Sequence, residues 1–352
     1  MLTSKVHQIN VMIVNDSPFM VELIKDVITK DKRIRVTSTA KDGVDALRKI
    51  KYFPADVILL DLEMPNMDGL TFIEKLMNYK QIPIIVVSNY SNTGGKLVLD
   101  SLELGAIDFV TIPQNDPQVL HSLGEILISK IEFASRSNPR LVVPKVISKL
   151  PPYRAKTFGQ KVKPTRVVVI GASTGGPKVI GDILQNIPSD IPAAFLIVQH
   201  MSKDFISNFA KRLNAVSNMT VKEAAEGDSI TEGLVLLAPG DFHMLVNAPN
   251  KIHLNQGPKR FGVRPSVNVT MVSASEVYGA DTIGVLLSGM GQDGAFGMRM
   301  IKKRQGITIA QNESSSIIYG MAKAAKDMEA VDKMVSADEI SKEIVKAVMV
   351  HV

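Results

Sequence analysis

The chain has no cysteine among its 352 residues. That absence excludes disulfides, thiolate metal sites and a cysteine nucleophile, fits a reducing compartment, and leaves serine as the covalent catalyst if there is one. Also missing is any run approaching the roughly 20 apolar residues that a spanning helix requires, and residues 1–10 are polar, without the apolar stretch of an export signal. A cytoplasmic protein with no membrane insertion is expected. Acidic residues are nearly absent from one segment: residues 129–163 carry nine Lys/Arg against a single Glu, whereas 1–128 hold 13 against 16 and 164–352 hold 19 against 18. The net charge of +6 is therefore local. Aromatics are few there, with only Tyr153 and Phe158 near its end, so the segment reads as a solvated basic tether and no nucleic-acid partner is expected.

At this length two domains can each bury a core. In the first third, short apolar runs at Ile9–Val14, Val57–Leu60, Ile84–Val87 and Ala106–Val110, with a further strand near Arg35–Thr39, alternate with helical patterns at Pro18–Thr29, Gly43–Ile50, Leu70–Tyr79 and Gly95–Leu104. Five buried strands with intervening helices predict a flavodoxin-like, doubly wound parallel sheet over 1–128. Residues 129–163, rich in Pro, Ser and Lys without a sustained period, read as a linker. Over 164–352 a second doubly wound α/β domain is predicted, with strands at Val167–Ile170, Phe195–Gln199, Val235–Ala238, Thr282–Ser288 and Ile307–Ala310.

The residues that follow these strands carry the chemistry, because ligands of open parallel sheets sit beyond the strands' C-terminal ends. Ser173 lies in Gly171-Ala172-Ser173-Thr174-Gly175-Gly176-Pro177, with the G-x-S-x-G spacing of a nucleophile elbow and a helix start whose free N–H groups suit an oxyanion. Alone, this motif fits a plain glycine turn or a dinucleotide loop as well, although it lacks the G-x-G-x-x-G spacing of a nicotinamide enzyme. His200 ends a strand in Ile197-Val198-Gln199-His200-Met201, and Asp293 lies in Ser288-Gly289-Met290-Gly291-Gln292-Asp293-Gly294. A hydroxyl, an imidazole and a carboxylate at three strand ends are the parts of an acyl-transfer site. His243 and Asp241, in Pro239-Gly240-Asp241-Phe242-His243, are a rival base and acid. The order Ser, His, Asp differs from that of α/β-hydrolases, which run Ser, Asp/Glu, His.

In the first domain Asp16 follows one strand and Asp61 another, in Leu60-Asp61-Leu62-Glu63-Met64-Pro65. Two carboxylates at neighbouring strand ends with a nearby carbonyl form a hard oxygen site suited to Mg²⁺, and one of them can attack a phosphoryl group. With Ser88 and Asp68-Gly69 they resemble the receiver domain of two-component response regulators. The resemblance implies that Asp61 is the phosphoacceptor, that Asp16, Asp61 and the Glu63 carbonyl hold Mg²⁺, that Ser88 meets the phosphoryl group, and that Phe109 is the aromatic switch residue. Two positions depart from the family: Asn15 stands where receivers carry an acid, and Ile112 where they carry a lysine. Weakened phosphorylation of Asp61 is therefore expected.

The serine, Gln-His-Met, Ala-Pro-Gly-Asp, Arg264-Pro265-Ser266-Val267 and Ser-Gly-Met-Gly-Gln-Asp-Gly motifs, in this order behind a receiver, resemble the chemotaxis protein-glutamate methylesterases of the CheB family. The resemblance implies hydrolysis of glutamate 5-methyl esters on the cytoplasmic helices of chemoreceptors, and glutamine deamidation there. Ser173, His200 and Asp293 become the catalytic set, Thr174 and Met290 line the site, and His243 and Arg264 support it. A chemotaxis histidine kinase becomes the phosphodonor, in doubt through Asn15 and Ile112, and the unphosphorylated receiver blocks the esterase. No cofactor is implied for ester hydrolysis. The family often has an acid where this chain has Asn268. A rival reading is a non-enzymatic signalling adaptor with a degenerate receiver.

Overall fold

A computed structural model of the chain describes residues 8–89, 94–112, 117–137, 164–247 and 249–350. The chain divides into two compact units between residues 146 and 147. In the first, strands β1 (Ile9–Val14), β2 (Ile34–Ala40), β3 (Val57–Leu60), β4 (Ile84–Asn89) and β5 (Asp108–Ile112) alternate with helices α1 (Pro18–Ile28), α2 (Gly43–Lys49), α3 (Gly69–Tyr79), α4 (Gly94–Leu104) and α5 (Pro117–Ser135). The sheet is parallel in the order β2-β1-β3-β4-β5. Strands β1 and β3 are apolar almost throughout because helices cover both faces of the sheet, leaving no solvent side for polar residues to alternate onto. Local signals start the helices. Ser17 accepts a hydrogen bond from the Met20 amide, with Pro18 in the first turn of α1, and Asp68 accepts from the Thr71 amide at 2.7 Å to open α3.

Two boundaries differ from the sequence expectation. Strand β5 begins at Asp108, two residues after the expected Ala106, so Ile112 becomes its last residue and not a loop residue. Helix α5 runs to Ser135, seven residues into the stretch expected as linker: Leu127, Ile131 and Ala134 form a buried stripe at helical spacing that the surrounding Ser and Lys residues obscured. Two cations of that stretch are paired inside this unit, Lys130 with Asp108 and Arg136 with Glu132. The rest of the expected linker, 138–163, lies outside the described residues.

The second unit runs β6 (Arg166–Ala172), α6 (Gly176–Asn186), β7 (Ala193–Gln199), α7 (Lys203–Val216), β8 (Thr220–Glu223), β9 (Leu234–Leu237), β10 (His243–Asn247), β11 (Lys251–Asn255), α8 (Val267–Tyr278), β12 (Thr282–Leu286), α9 (Ala295–Lys303), β13 (Ile307–Gln311), α10 (Met321–Asp327), β14 (Lys333–Val335) and α11 (Ile340–Met349). Seven strands form a parallel sheet ordered β14-β13-β12-β6-β7-β9-β8, and β10 and β11 make a separate antiparallel hairpin. The strand order reverses between β6 and β12: from β6 the chain winds outward through β7, then returns to lay β12 on the other side. Such a switch point opens a crevice beyond the strand ends. On one face of the sheet Val167, Val169, Leu196 and Leu286 pack with Val267 and Met271 of α8 and with Met298 of α9, which fixes the first turns of both helices beside that crevice. The sequence reading anticipated five of these strands. It missed β8 and β14, short strands at the sheet edges with mixed polarity, and the hairpin that stands outside the sheet.

Candidate active site

The three middle strands, β12, β6 and β7, deliver the three chemical groups. Ala172 pairs with Gln199 in register, so Ser173 and His200 are the next residues on neighbouring strands, and the His200 amide donates to the Ala172 carbonyl at 3.0 Å. The Ser173 amide donates to the Ser288 carbonyl at 3.1 Å on the other side, joining the nucleophile turn to the loop that carries Asp293. That loop comes close: a Cβ on Gly289 would stand 2.7 Å from the Ser173 Cβ. Gly175, with φ of 80°, takes the left-handed conformation that lets the chain turn from Ser173 into α6.

His200 Nε2 lies 2.9 Å from Asp293 Oδ2. Asp293 is 2% exposed, and its carboxylate also receives the Ser266 hydroxyl at 2.8 Å and the amides of Val267, Asn268 and Gly294 at 2.7, 3.1 and 3.1 Å. Burial alone would raise its pKa. The hydrogen bond and charge of His200, with the Asn268 amide and the Ser266 hydroxyl, outweigh burial and hold the carboxyl below the ordinary aspartate range. An ionised Asp293 can only accept, so Nε2 of His200 carries a proton and Nδ1 is left as the proton acceptor. The amides of Val267 and Asn268 open α8, placing the carboxylate where the helix dipole favours negative charge. Asn268 reciprocates: its Oδ1 accepts the Gly294 and Gly297 amides at 3.1 and 2.7 Å and caps α9. The two helices thus cap each other.

His243 and Arg264 stand behind the site. His243 is 3% exposed, Nε2 faces the Pro258 carbonyl at 3.0 Å, and Nδ1 accepts the Ser266 amide at 3.2 Å, so both ring nitrogens are engaged. Arg264 grips Asp241 at 2.6 Å and the carbonyls of Gln256 and Gly257. The rival base and acid are therefore occupied by structural bonds. Thr174 is buried, its carbonyl accepting the Ser288 hydroxyl at 2.9 Å, and Met290 is half-buried in the Asp293 loop. Sequence reasoning missed Gln199, whose buried amide donates to the Ser173 carbonyl at 2.9 Å and the His200 carbonyl at 3.3 Å. A Cβ on Gly176 would lie 2.4 Å from Gln199 Oε1, so the glycine after Gly175 makes room for this amide. A polar residue within an otherwise apolar strand, directly before His200, was the available signal.

In the first unit Asp61 follows β3 and Asn15 follows β1. Asn15 is buried, donates from Nδ2 to Asp61 Oδ2 at 2.9 Å, and accepts the Ser17 amide at 2.8 Å. Burial first, then repulsion from Asp16 and Glu63, pushes the Asp61 carboxyl up to about 6 against the amides of Glu63 and Leu62. This excess of negative charge suits a divalent cation held by Asp16, Asp61 and the Glu63 carbonyl. Among the described residues no group of three or more His, Cys, Asp or Glu side chains is arranged to hold a metal, so carbonyl and water oxygens must complete any such site. Ser88 is buried near the end of β4, Phe109 is half-buried on β5, and Ile112 is buried at the end of β5. An apolar chain there offers a phosphoryl oxygen no cation.

Among the described residues no helix is long and apolar enough to cross a membrane. The profile of the response regulator receiver domain matches residues 11–123, and that of the CheB methylesterase matches residues 168–344. A protein of Pyrococcus horikoshii named protein-glutamate methylesterase/protein-glutamine glutaminase is 41% identical over 345 residues, covering 97% of this chain and 94% of that protein. One of the same name from Symbiobacterium thermophilum is 37% identical over 352 residues, covering 97% of each. The crystal structure of the Thermotoga maritima CheB methylesterase catalytic domain is 37% identical, with a TM-score of 0.51, over 53% of this chain and 99% of that one. With receiver and esterase sequences in one chain and near-full-length relatives, this protein belongs to the CheB methylesterase family.

Proposed function

We propose that the chain hydrolyses glutamate 5-methyl esters on the cytoplasmic helices of chemoreceptors, and deamidates glutamines there, with Ser173, His200 and Asp293 as the catalytic residues of a domain spanning 164–352. The observation that carries this reading is the hydrogen bond between His200 and a buried, ionised Asp293, at a strand end adjoining Ser173. Ser173 Oγ attacks the ester carbonyl while His200 Nδ1 takes its proton. Collapse of the tetrahedral intermediate breaks the carbonyl–methoxy bond, and the same proton leaves with methanol. A water, deprotonated by His200, then releases glutamate and restores the serine. The free N–H groups at the start of α6 donate to the oxyanion, and Thr174 and Met290 line the site. A glutamine follows the same path with ammonia as the leaving group.

The receiver, within residues 1–128, controls this activity through Asp61, with a histidine kinase as phosphodonor and Mg²⁺ at Asp16, Asp61 and the Glu63 carbonyl. The bound ion supplies neutralising charge for phosphoryl transfer, Ser88 meets the phosphoryl group, and Asn15 and Ile112 make the response weak. The adaptor reading is not favoured, because relatives matching nearly the whole chain are named as enzymes and the His200–Asp293 pair is intact. Methanol release from a methylated receptor cytoplasmic fragment tests the proposal. Full-length protein should release methanol, Ser173→Ala and His200→Ala should fall to background, and phosphodonor with Mg²⁺ should give only a small gain. Equal release by Ser173→Ala would refute the assignment.

A further inference from the structure

Between β11 and α8 the chain makes a tight hairpin whose tip the mechanism does not use. Arg260 and Val263 exchange two backbone hydrogen bonds of 3.0 Å around Phe261 and Gly262, whose φ values of 51° and 78° are both left-handed. Two central residues with positive φ define the kind of turn that asparagine and glycine fill without strain. A phenylalanine there is a steric outlier. Its side chain does not repay the strain within this fold, since Phe261 is 60% exposed. Backbone strain that the fold itself does not use is a feature of binding sites.

The base of the hairpin is fixed. The Pro258 carbonyl is held by His243, the carbonyls of Gln256 and Gly257 by Arg264, and Arg264 by Asp241. His243 also holds the Ser266 amide, and Ser266 holds Asp293. The exposed tip therefore stands in fixed relation to the catalytic carboxylate. Ser266 lies five residues on from Phe261, at most about 18 Å of extended chain, and a helix of about 12 residues covers that span. Lys203, Lys259 and Arg260 are exposed around it. Arg264, chiefly by its hydrogen bonds, and then the charges of Lys259 and Lys203 hold the Asp241 carboxyl below its usual range, which places these cations together about one acid. The net charge of this rim is positive.

We propose that the hairpin tip, with Phe261 between Lys259 and Arg260 on one side and Val263 on the other, is the docking element for an acidic helical protein substrate, the aromatic ring meeting its apolar stripe and the cations its carboxylates. The proposal rests on the esterase reading and names the element that recognises its substrate. Hydrophobic contact at the tip fixes the helix, and the fixed base sets which ester reaches Ser173.

The test compares full-length wild type, Phe261→Asn and Lys259→Glu/Arg260→Glu on two substrates: a methylated receptor cytoplasmic fragment and the small ester N-acetyl-glutamate 5-methyl ester. Phe261→Asn suits the turn and should leave the melting temperature unchanged or higher. Its KM for the fragment should rise about tenfold with kcat and small-ester turnover within twofold of wild type. The charge-reversed variant should show a similar or larger rise that shrinks in high salt. A fragment KM within twofold of wild type in both variants would overturn the proposal, as would a parallel loss on both substrates, which marks a merely structural role. Wild type that hydrolyses the small ester but not the fragment would overturn the receptor reading, and this proposal with it.

Discussion

Two aspartates, half-buried Asp61 directly after a parallel strand and fully buried Asp293 in the loop beyond another, are driven in opposite directions: Asp61 is pushed up to about 6, whereas Asp293 is held below the ordinary range. Burial acts upward on both. Its outcome is decided by what the surrounding chain donates. Asp293 lies against the first turn of α8 and receives five donors, one of them His200. Asp61 receives one side-chain amide, from Asn15, and a longer bond from the Glu63 amide, while Asp16 and Glu63 add negative charge nearby. The esterase carboxylate is thus charged by its own scaffold and ready to orient a base. The receiver carboxylate is left needing a partner, which suits a residue that gains a cation and a phosphoryl group.

The sharpest way to break the contrast is Asp293→Asn. The amide NH2 would face donors whichever way it turned, Val267 and His200 on one side or Ser266 and Asn268 on the other, and would disturb the tautomer of His200, so kcat/KM for ester hydrolysis should fall about 10³–10⁴-fold. A loss under tenfold would mean that Asp293 does not orient the base. Gly176→Ala should follow. Its Cβ collides with Gln199 Oε1 and with the Ala172 Cβ at 2.5 Å, displacing the amide that ties Ser173 to His200, and steady-state assays should show about a 10²-fold loss in kcat. Asn268→Asp sharpens the comparison by making Asp293 more like Asp61. A second carboxylate would share the Gly294 amide with Asp293, raise its pKa by repulsion and weaken its hold on His200, so the acid limb of the pH–rate profile should move upward.

The smallest effect is on stability. Asp61 has a folded pKa of about 6 against an ordinary 3.8, so its protonated form is favoured by folding. That contribution is fully present below about pH 4 and is lost as pH rises through about 6. Asp61→Asn should therefore stabilise the metal-free receiver at pH 7.5 by about 1 kcal/mol, after allowance for solvent screening of a partly exposed group. The gain should vanish near pH 4. Asp293 has the opposite sign: its contribution is present above the ordinary aspartate value and lost as pH falls through its depressed folded pKa.

The sequence disclosed the parts of both sites more readily than their supports. Ser173, His200 and Asp293 were legible because strand ends in parallel sheets place their next residues at one edge, and apolar runs such as Val167–Ile170 mark where those ends fall. Asp61 and Asp16 were legible for the same reason. The reciprocal capping by Asp293 and Asn268 was not, since it depends on α8 and α9 lying side by side, a contact between residues 25 or more apart in the chain. His243 read as a rival base because nothing local shows that Pro258 and Ser266 engage both its nitrogens. The end of helix α5 was read as linker because Lys130 reads as solvated until Asp108 is seen beside it.

The most direct test is a carboxyl carbon-13 titration of the full-length, metal-free protein labelled at aspartate, with Asp61→Asn and Asp293→Asn identifying the two resonances. The Asp61 signal should titrate with a midpoint near 6, while the Asp293 carboxylate should still be mainly ionised at pH 3.8, the ordinary aspartate value. Two signals that titrate together near that value would contradict this contrast.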